Sequence, residues 1–353
     1  MPDPIAPADD LPLVVAPNLK RRLSGVTATV VRLVPLQARR IAIAATGPGL
    51  PASVPHIPLI RAATLPRDRW RVWHARRNTE MALGLILRHV LRRRYRLLFT
   101  SASQRRHSGY TRRLIARMDR IVATSARGAA YLERPADVIH HGIDTAGFAP
   151  PADRAALRAR LGLPEDVRGG VLVGCYGRIR ERKGTGDFVR AMIDLLPARP
   201  QVTALVMGRA TEQHRAFLAD LRAEVAQAGL SDRILFLPEV GVDAMADWYG
   251  ALDLYVAPQR WEGFGLTVLE ALSCGVPVVA TRVGAFEELL TPETGTLIPP
   301  EDPQALRGAV AAWLDDDAAR AEAGRAARAH ATARHDIAAE ADALVRIYRE
   351  MLA

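Results

Sequence analysis

The sequence predicts an α/β protein of two domains, each a doubly wound parallel sheet. Apolar runs of strand length recur along the chain, continuous rather than alternating, as parallel strands covered on both faces require. Between them lie Ala- and Arg-rich segments with apolar residues at three- and four-residue spacing, the helical period. The 353 residues, 49% hydrophobic, 24% charged and 5% aromatic, have the composition of an ordinary globular protein, which excludes disordered and fibrous classes. At roughly 100–200 residues per domain, two domains follow, each large enough for its own core and with a ligand cleft expected between them.

In chain order the first half offers strand-like runs at Leu13–Ala16, Ile41–Ala44, Arg71–His74, Leu97–Phe99, Ile121–Ala123 and Val138–Ile139. Proline stops regular structure at Ala149-Pro150-Pro151, so the boundary is placed there, with domains 1–150 and 151–353. The second half is clearer: Val171–Tyr176, Thr203–Met207, Ile234–Leu237, Leu254–Ala257 and Val276–Ala280, with helical spacing at Asp187–Leu196 and Arg215–Ala228. Arg320–Ala353 is one long helical pattern, and whether this last helix packs back on the N-terminal domain stays open.

Cys175 and Cys274 sit in apolar stretches outside any Cys-x-x-Cys pair, which argues against disulfide frameworks and structural zinc. The acidic, proline-broken start Met1–Asp10 is unlike a secretion signal, and no run approaches the roughly 18 apolar residues of a membrane span; the expected location is the cytoplasm. The net charge of +10 is unevenly divided. Residues 1–150 carry 25 basic and 9 acidic side chains, a net of +16, and the remaining 23 and 29 give −6. So basic a half suits nucleic acid, an anionic membrane or an acidic small substrate, or is simply a solvated face.

Chemistry concentrates in two places. Glu262-Gly263-Phe264-Gly265-Leu266-Thr267-Val268-Leu269-Glu270 reads as strand end, glycine loop, helix. Glycines let the backbone approach a ligand, and free N–H groups at a helix start favour a phosphate. Glu262 beside that anion site suits hydroxyls carried with the phosphate, and Glu270, about two turns into the helix, suits a vicinal diol such as ribose. Lone glutamates are more often plain surface acids, but the glycine loop between these two weighs against that. The second place is Gly177-Arg178-Ile179-Arg180-Glu181-Arg182-Lys183-Gly184, directly after a strand. Arg178 and Lys183 there would neutralise a departing diphosphate from two sides without a metal, where an ordinary basic turn would merely face solvent. A Walker loop and a dinucleotide fingerprint are both missing, against ATPases and dehydrogenases.

These motifs resemble the GT4 family of retaining glycosyltransferases, whose GT-B fold has two facing Rossmann-like domains. The family's Glu-x7-Glu signature stands as Glu262 to Glu270. Further matches are Gly177-Arg178 with Lys183-Gly184, Val276–Thr281, Gly284 with Glu287-Glu288-Leu289, Thr294–Ile298 and the interdomain His141-Gly142-Ile143-Asp144, together spanning 138–315. The resemblance implies that Arg178 and Lys183 grip the donor diphosphate and that Glu262 with Gly263, Phe264 and Gly265 holds the sugar. It places Glu270 on the ribose, Leu266 and Thr267 along nucleoside and phosphate, and Glu239 and Val240 beside the base. In the first half, Leu23-Ser24-Gly25-Val26-Thr27 resembles the family's first glycine loop, reduced from Gly-Gly to Ser-Gly, which carries over Gly25 alone. His107 matches the family's N-domain histidine near the reacting sugar better than His74, and no side chain is assigned as nucleophile. No metal or other cofactor is implied, and Asp315-Asp316-Asp317 reads as a solvated tip.

Ala257–Thr267 and Asn18–Thr27 further resemble lipopolysaccharide core mannosyltransferases. That implies GDP-mannose as donor and a Kdo-bearing lipid A acceptor, with peripheral contact at the cytoplasmic face of the inner membrane and no nucleic acid partner. Arg92-Arg93-Arg94 with Arg96, and Arg105-Arg106 with Arg112-Arg113, are the basic clusters that would meet such an anionic surface. A hexosyltransferase using a UDP-sugar is the alternative enzyme. A non-catalytic polyanion-binding protein is the alternative from another class, and it lacks the interleaved aromatics of single-strand binders.

Overall fold

A computed structural model describes residues 11–21 and 25–353. The N-terminal segment weighed above as a targeting signal, and Leu23 and Ser24 of the glycine loop, lie outside the described residues. The chain forms two compact units: Met1–His140 with Ile337–Ala353, and His141–Asp336.

The division thus falls at His140, ahead of the prolines at 150 and 151, because residues 141–150 are fastened to the second unit. The Ile143 N–H donates to the His335 carbonyl at 2.8 Å, and the Phe148 carbonyl accepts from Ser273 Oγ at 2.6 Å and Arg328 Nη1 at 2.9 Å. Proline ended regular structure there without ending the core. The C-terminal pattern is likewise two helices, Asp317–Arg334 and Ile337–Leu352, each in a different unit. No proline or glycine marks the break; a backbone bridge between Ile143 and Asp336 closes the second unit there.

Unit 1 contains β1 (Val14–Pro17), β2 (Ile43–Thr46), β3 (Arg71–Ala75), β4 (Tyr95–Ser101), β5 (Arg120–Ala123) and β6 (Asp137–Val138), all parallel. Their order is β2-β1-β3-β4-β5-β6, the flavodoxin-like arrangement, whose strand direction of travel reverses between β1 and β3. One face packs Val14, Val72 and Leu98 under the helices Gly25–Ala38 and Ile337–Leu352. The other packs Trp73, Leu97 and Ile121 with Met81 and Ile115. His74 bridges strand and C-terminal helix: its Nδ1 meets the Tyr348 hydroxyl and its Nε2 the Thr100 hydroxyl, both at 2.7 Å.

Unit 2 contains β7 (Val171–Tyr176), β8 (Val202–Met207), β9 (Ile234–Leu237), β10 (Leu254–Ala257), β11 (Val278–Thr281) and β12 (Gly295–Ile298). Their order β12-β11-β10-β7-β8-β9 is the Rossmann sequence of strands, with its switch point between β7 and β10. Two fully apolar layers sandwich it, one with Leu172, Tyr255 and Leu269, the other with Val173, Phe188 and Val256. β12 escaped the apolar-run criterion because it is an edge strand, half-buried at Thr296 and Leu297, with Thr296 Oγ1 accepting from Trp313 Nε1 at 2.9 Å.

Candidate active site

Ligands of open α/β sheets bind where neighbouring strands send their connections to opposite faces, at the strands' carboxyl ends. In unit 2 that place is flanked by the loops after β7 and β10, the two segments the sequence singled out. The β7 loop turns at Gly177, leaves Arg178 exposed, anchors Ile179 in the core and closes a short turn at Glu181–Lys183. Gly184 ends that turn with φ +69°, and a Cβ on it would sit 1.9 Å from the Pro258 carbonyl oxygen. Only glycine lets the two loops touch. Their contact is reinforced by Arg260, whose N–H donates to the Arg182 carbonyl at 3.1 Å and whose guanidinium meets Asp187 at 3.0 Å.

This close approach sets Lys183 Nζ 2.5 Å from Glu262 Oε2, with the two side chains 22% and 17% exposed. The other carboxylate oxygen, Oε1, accepts the Gly263 N–H at 2.8 Å. A half-buried cation and a half-buried carboxylate therefore share one spot at the switch point, both still reachable from outside. Gly265 follows with φ +113°, where a Cβ would lie 2.0 Å from Phe286 Cε1, and it opens the helix Leu266–Ser273. Phe264 is buried edge-on to His141, ring centres 5.0 Å apart. Leu266 packs on the core, and Thr267 lies in the first turn beside Tyr255.

Glu270 is the fifth residue of that helix, one turn in rather than two, because the helix begins at Leu266 and not at the glycines. It is buried against a cluster of tyrosines. Burial first, and then the neighbouring Tyr255 and Glu270, push the Tyr249 hydroxyl well above its ordinary range; Tyr249 and Tyr255 rings lie 5.3 Å apart. The Tyr255 hydroxyl donates to the Tyr176 carbonyl at 3.2 Å. Glu239 and Val240 follow β9, two strands from β7 and so roughly 10 Å along the sheet. Glu239 pairs with Arg209 at 3.3 Å, both more than half exposed, and Val240 rests on the core. Arg209, missed in the sequence, follows β8 through Gly208 and was findable by the same strand-end rule.

Gly25 and His107 belong to unit 1. Gly25 starts the helix Gly25–Ala38, and a Cβ there would meet nothing within 4 Å, so no crowding requires glycine. Sequence reasoning also missed what surrounds it. At the unit 1 switch point Arg77 Nη1 donates to Asn18 Oδ1 at 3.0 Å and Glu80 Oε1 at 2.7 Å, while Nη2 donates to Thr27 Oγ1 at 3.1 Å. This part-buried network ties Asn18, just past β1, to Thr27 and Glu80. His107 follows β4 with Nε2 3.3 Å from Ser101 Oγ and lines a small cavity with Arg112 and Tyr131. Burial first and Arg105 second hold its pKa below the ordinary 6.5, so it is a neutral imidazole near pH 7. His74 is buried and doubly bonded, a structural residue. Of the acidic tip, Asp316 caps the helix Asp317–Arg334 and Asp315 pairs with Arg199 at 2.7 Å.

Paired parallel-sheet units, one carrying cation, carboxylate and glycine-opened helix at a Rossmann switch point, define a glycosyltransferase with the GT-B fold. Residues 170–316 match the family Glycosyl transferases group 1. Over 347 residues the chain is 51% identical to the lipopolysaccharide core biosynthesis mannosyltransferase LpsB of Rhizobium meliloti (strain 1021), covering 96% of this chain and 97% of that one. It is 50% identical over 345 residues to LpcC of Rhizobium leguminosarum bv. viciae, a protein of the same description, covering 96% of each. Among solved structures, Anabaena HepE in complex with UDP shares the fold at TM-score 0.82 and 20% identity, over 96% of this chain and 99% of that one. The chain belongs to the group 1 glycosyltransferases, within the family of the lipopolysaccharide core mannosyltransferases.

Proposed function

We propose that the protein transfers mannose from GDP-mannose, with retention at the anomeric carbon, to a Kdo-bearing lipid A acceptor during assembly of the lipopolysaccharide core. The observation that carries the reading is the Lys183–Glu262 pair at the unit 2 switch point. When donor binds, Lys183 and Arg178 turn to the diphosphate, which frees Glu262 for the sugar's hydroxyls. The Gly263-Phe264-Gly265 backbone holds the sugar with Glu262, Leu266 and Thr267 lie along nucleoside and phosphate, and Glu270 accepts from the ribose. As GDP leaves, the two cations take up the developing charge without a metal. The neutral His107 imidazole of unit 1 is available to hold a substrate hydroxyl.

Mannose transfer in lipopolysaccharide core assembly is supported by the relatives named above, at about half identity over nearly the whole chain. Unit 1's excess of arginine suits an acceptor bearing carboxylates and phosphates at the cytoplasmic face of an anionic bilayer. No helix among the described residues is long and apolar enough to cross a membrane, which is compatible with contact from the surface. The test is incubation of the purified protein with GDP-mannose, UDP-glucose or ADP-glucose and a Kdo–lipid A acceptor in detergent, read by product mass. One hexose added from GDP-mannose alone is expected. Transfer solely from a uridine donor, or none to this acceptor, would overturn the reading.

A further inference from the structure

We propose a second ligand site in unit 2, at the opposite ends of its strands from the Lys183–Glu262 pair, for a small organic molecule carrying a phosphate or carboxylate group on an apolar body. A cavity of about 560 Å³ opens there. Asp253, Gly275 and Pro277, at the amino ends of β10 and β11, line it together with Pro150, Arg154 and one face of the helix Asp317–Arg334. The four residues of β10 set it roughly 13 Å from the glycine loop. The volume is that of a pocket able to enclose a small ligand, and the inference stands apart from the donor and acceptor proposed above.

The cavity keeps its shape because glycine brings helix and loop together without filling the space beside them. A Cβ on Gly324 would sit 2.6 Å from the Gly275 carbonyl oxygen. Gly275 holds φ +70°, and its own Cβ would lie 3.1 Å from Pro150 Cγ. Ala321 and Ala329 continue the wall as exposed residues with no bulk beyond a methyl group. On the helix's other face Ala327 and Ala331 are buried in the core, so the wall is anchored from behind.

Charge selects the occupant. Four arginines and two aspartates line the cavity, and the acids are spent on the wall itself. Asp253 takes Arg154 at 3.0 Å through one oxygen; the other accepts from Arg158 at 2.6 Å and from the Leu172 N–H at 2.7 Å. Asp317 takes Arg320, whose Nη1 also donates to the Trp313 carbonyl at 2.6 Å. Arg328 has no carboxylate partner among the described residues. Its Nη1 donates to the Thr145, Phe148 and Ser273 carbonyls at 2.8, 2.9 and 2.8 Å, which fixes the half-buried guanidinium while Nε and Nη2 stay unpartnered and reachable by solvent. Arg325, one turn earlier on the same face, pairs with Glu322, both more than two-thirds exposed, and water already competes for such a bond. A fixed guanidinium edge lacking its counter-charge, with a second arginine three residues away, recognises an oxyanion through paired N–H bonds. A cation or a neutral ligand would leave that charge uncompensated. Pro150, Pro277, Ala321 and Ala329 around it favour an apolar body.

The experiment is isothermal titration calorimetry of the full chain with naphthyl phosphate, naphthoate, naphthol and inorganic phosphate. One site per chain is expected, with a Kd of about 1 mM or tighter for at least one of the two naphthyl anions, and the tighter of them names the headgroup. Naphthol and inorganic phosphate should bind at least about tenfold more weakly. Arg328→Gln should weaken binding at least about tenfold and Arg325→Gln about threefold. Ala329→Phe, which fills the cavity from an exposed position, should abolish it with an unchanged melting curve, and it carries the test should Arg328→Gln fail to fold. Lys183→Ala should leave binding within about twofold of wild type, which separates this site from the diphosphate clamp. Failure of both naphthyl anions to bind, naphthol or inorganic phosphate binding as tightly as they do, or binding that survives Ala329→Phe overturns the inference. So does binding lost in Lys183→Ala, or a wild-type dimer that Ala329→Phe dissociates, since a second copy would then own the cavity.

Discussion

Replacing Lys183 with alanine tests the site most directly. The side chain is 22% exposed and reaches Glu262 at 2.5 Å, so truncation leaves a half-buried carboxylate that keeps the Gly263 N–H as its partner. A charge-assisted bond lost in that setting costs about 1–3 kcal/mol. For a unit spanning His141–Asp336 this lowers the melting temperature by a few degrees and leaves it folded. The catalytic loss is larger. One preorganised cation removed from a developing oxyanion costs roughly 2.7–4 kcal/mol, or about 10²–10³ in kcat. Lys183→Arg should recover only part, because a planar fork does not reproduce a point charge at the same place. In a Glu262→Gln background the same truncation should cost almost no stability, since the pair is already broken. The assay is GDP release from GDP-mannose with acceptor, beside circular dichroism and thermal melting. A folded Lys183→Ala protein turning over within about threefold of wild type would refute the role given to this cation.

Two further outcomes follow from the geometry. Gly265→Ala must accept φ +113° and a Cβ 2.0 Å from the Phe286 ring, at about 2–5 kcal/mol combined; melting should fall by roughly 5–15 °C, and an unchanged melting curve would contradict the packing. His74 is fully buried, and burial first, then Arg76, hold its pKa well below 6.5. The unfolded chain therefore binds a proton the folded chain refuses, so the stability His74 contributes is complete above about pH 6.5 and lost as pH falls below it, about 1.4 kcal/mol by pH 5.5. Urea midpoints should drop accordingly between about pH 7.5 and 5.5, less steeply in His74→Phe.

The local chemistry was legible before the fold was. Glycines at 263 and 265 between an apolar run and a helical one, and cations just past the first strand of the second half, mark strand ends by themselves, because turn and helix-start physics act over a few residues. Strand order is a matter of long-range pairing, so nothing in Val14–Pro17 or Arg71–Ala75 says that unit 1 reverses between β1 and β3 while unit 2 reverses between β7 and β10. The network of Asn18, Thr27, Arg77 and Glu80 draws on three separate segments, and each residue alone looks like a surface polar group. For the same reason nothing in the sequence says that the two arginine clusters, Arg92 to Arg96 and Arg105 to Arg113, lie at opposite ends of β4.

The chain enters and leaves the second unit at a single doorway, with Ile143 bonded to His335 and Asp336 beside it. The second unit is therefore spliced into the other unit's chain like a cassette rather than appended to it. Exchanging this unit between relatives would mean lifting out residues 141–336 whole, whereas cutting the gene at that first junction would strip the remaining half of Tyr348 and of the helix that covers its sheet.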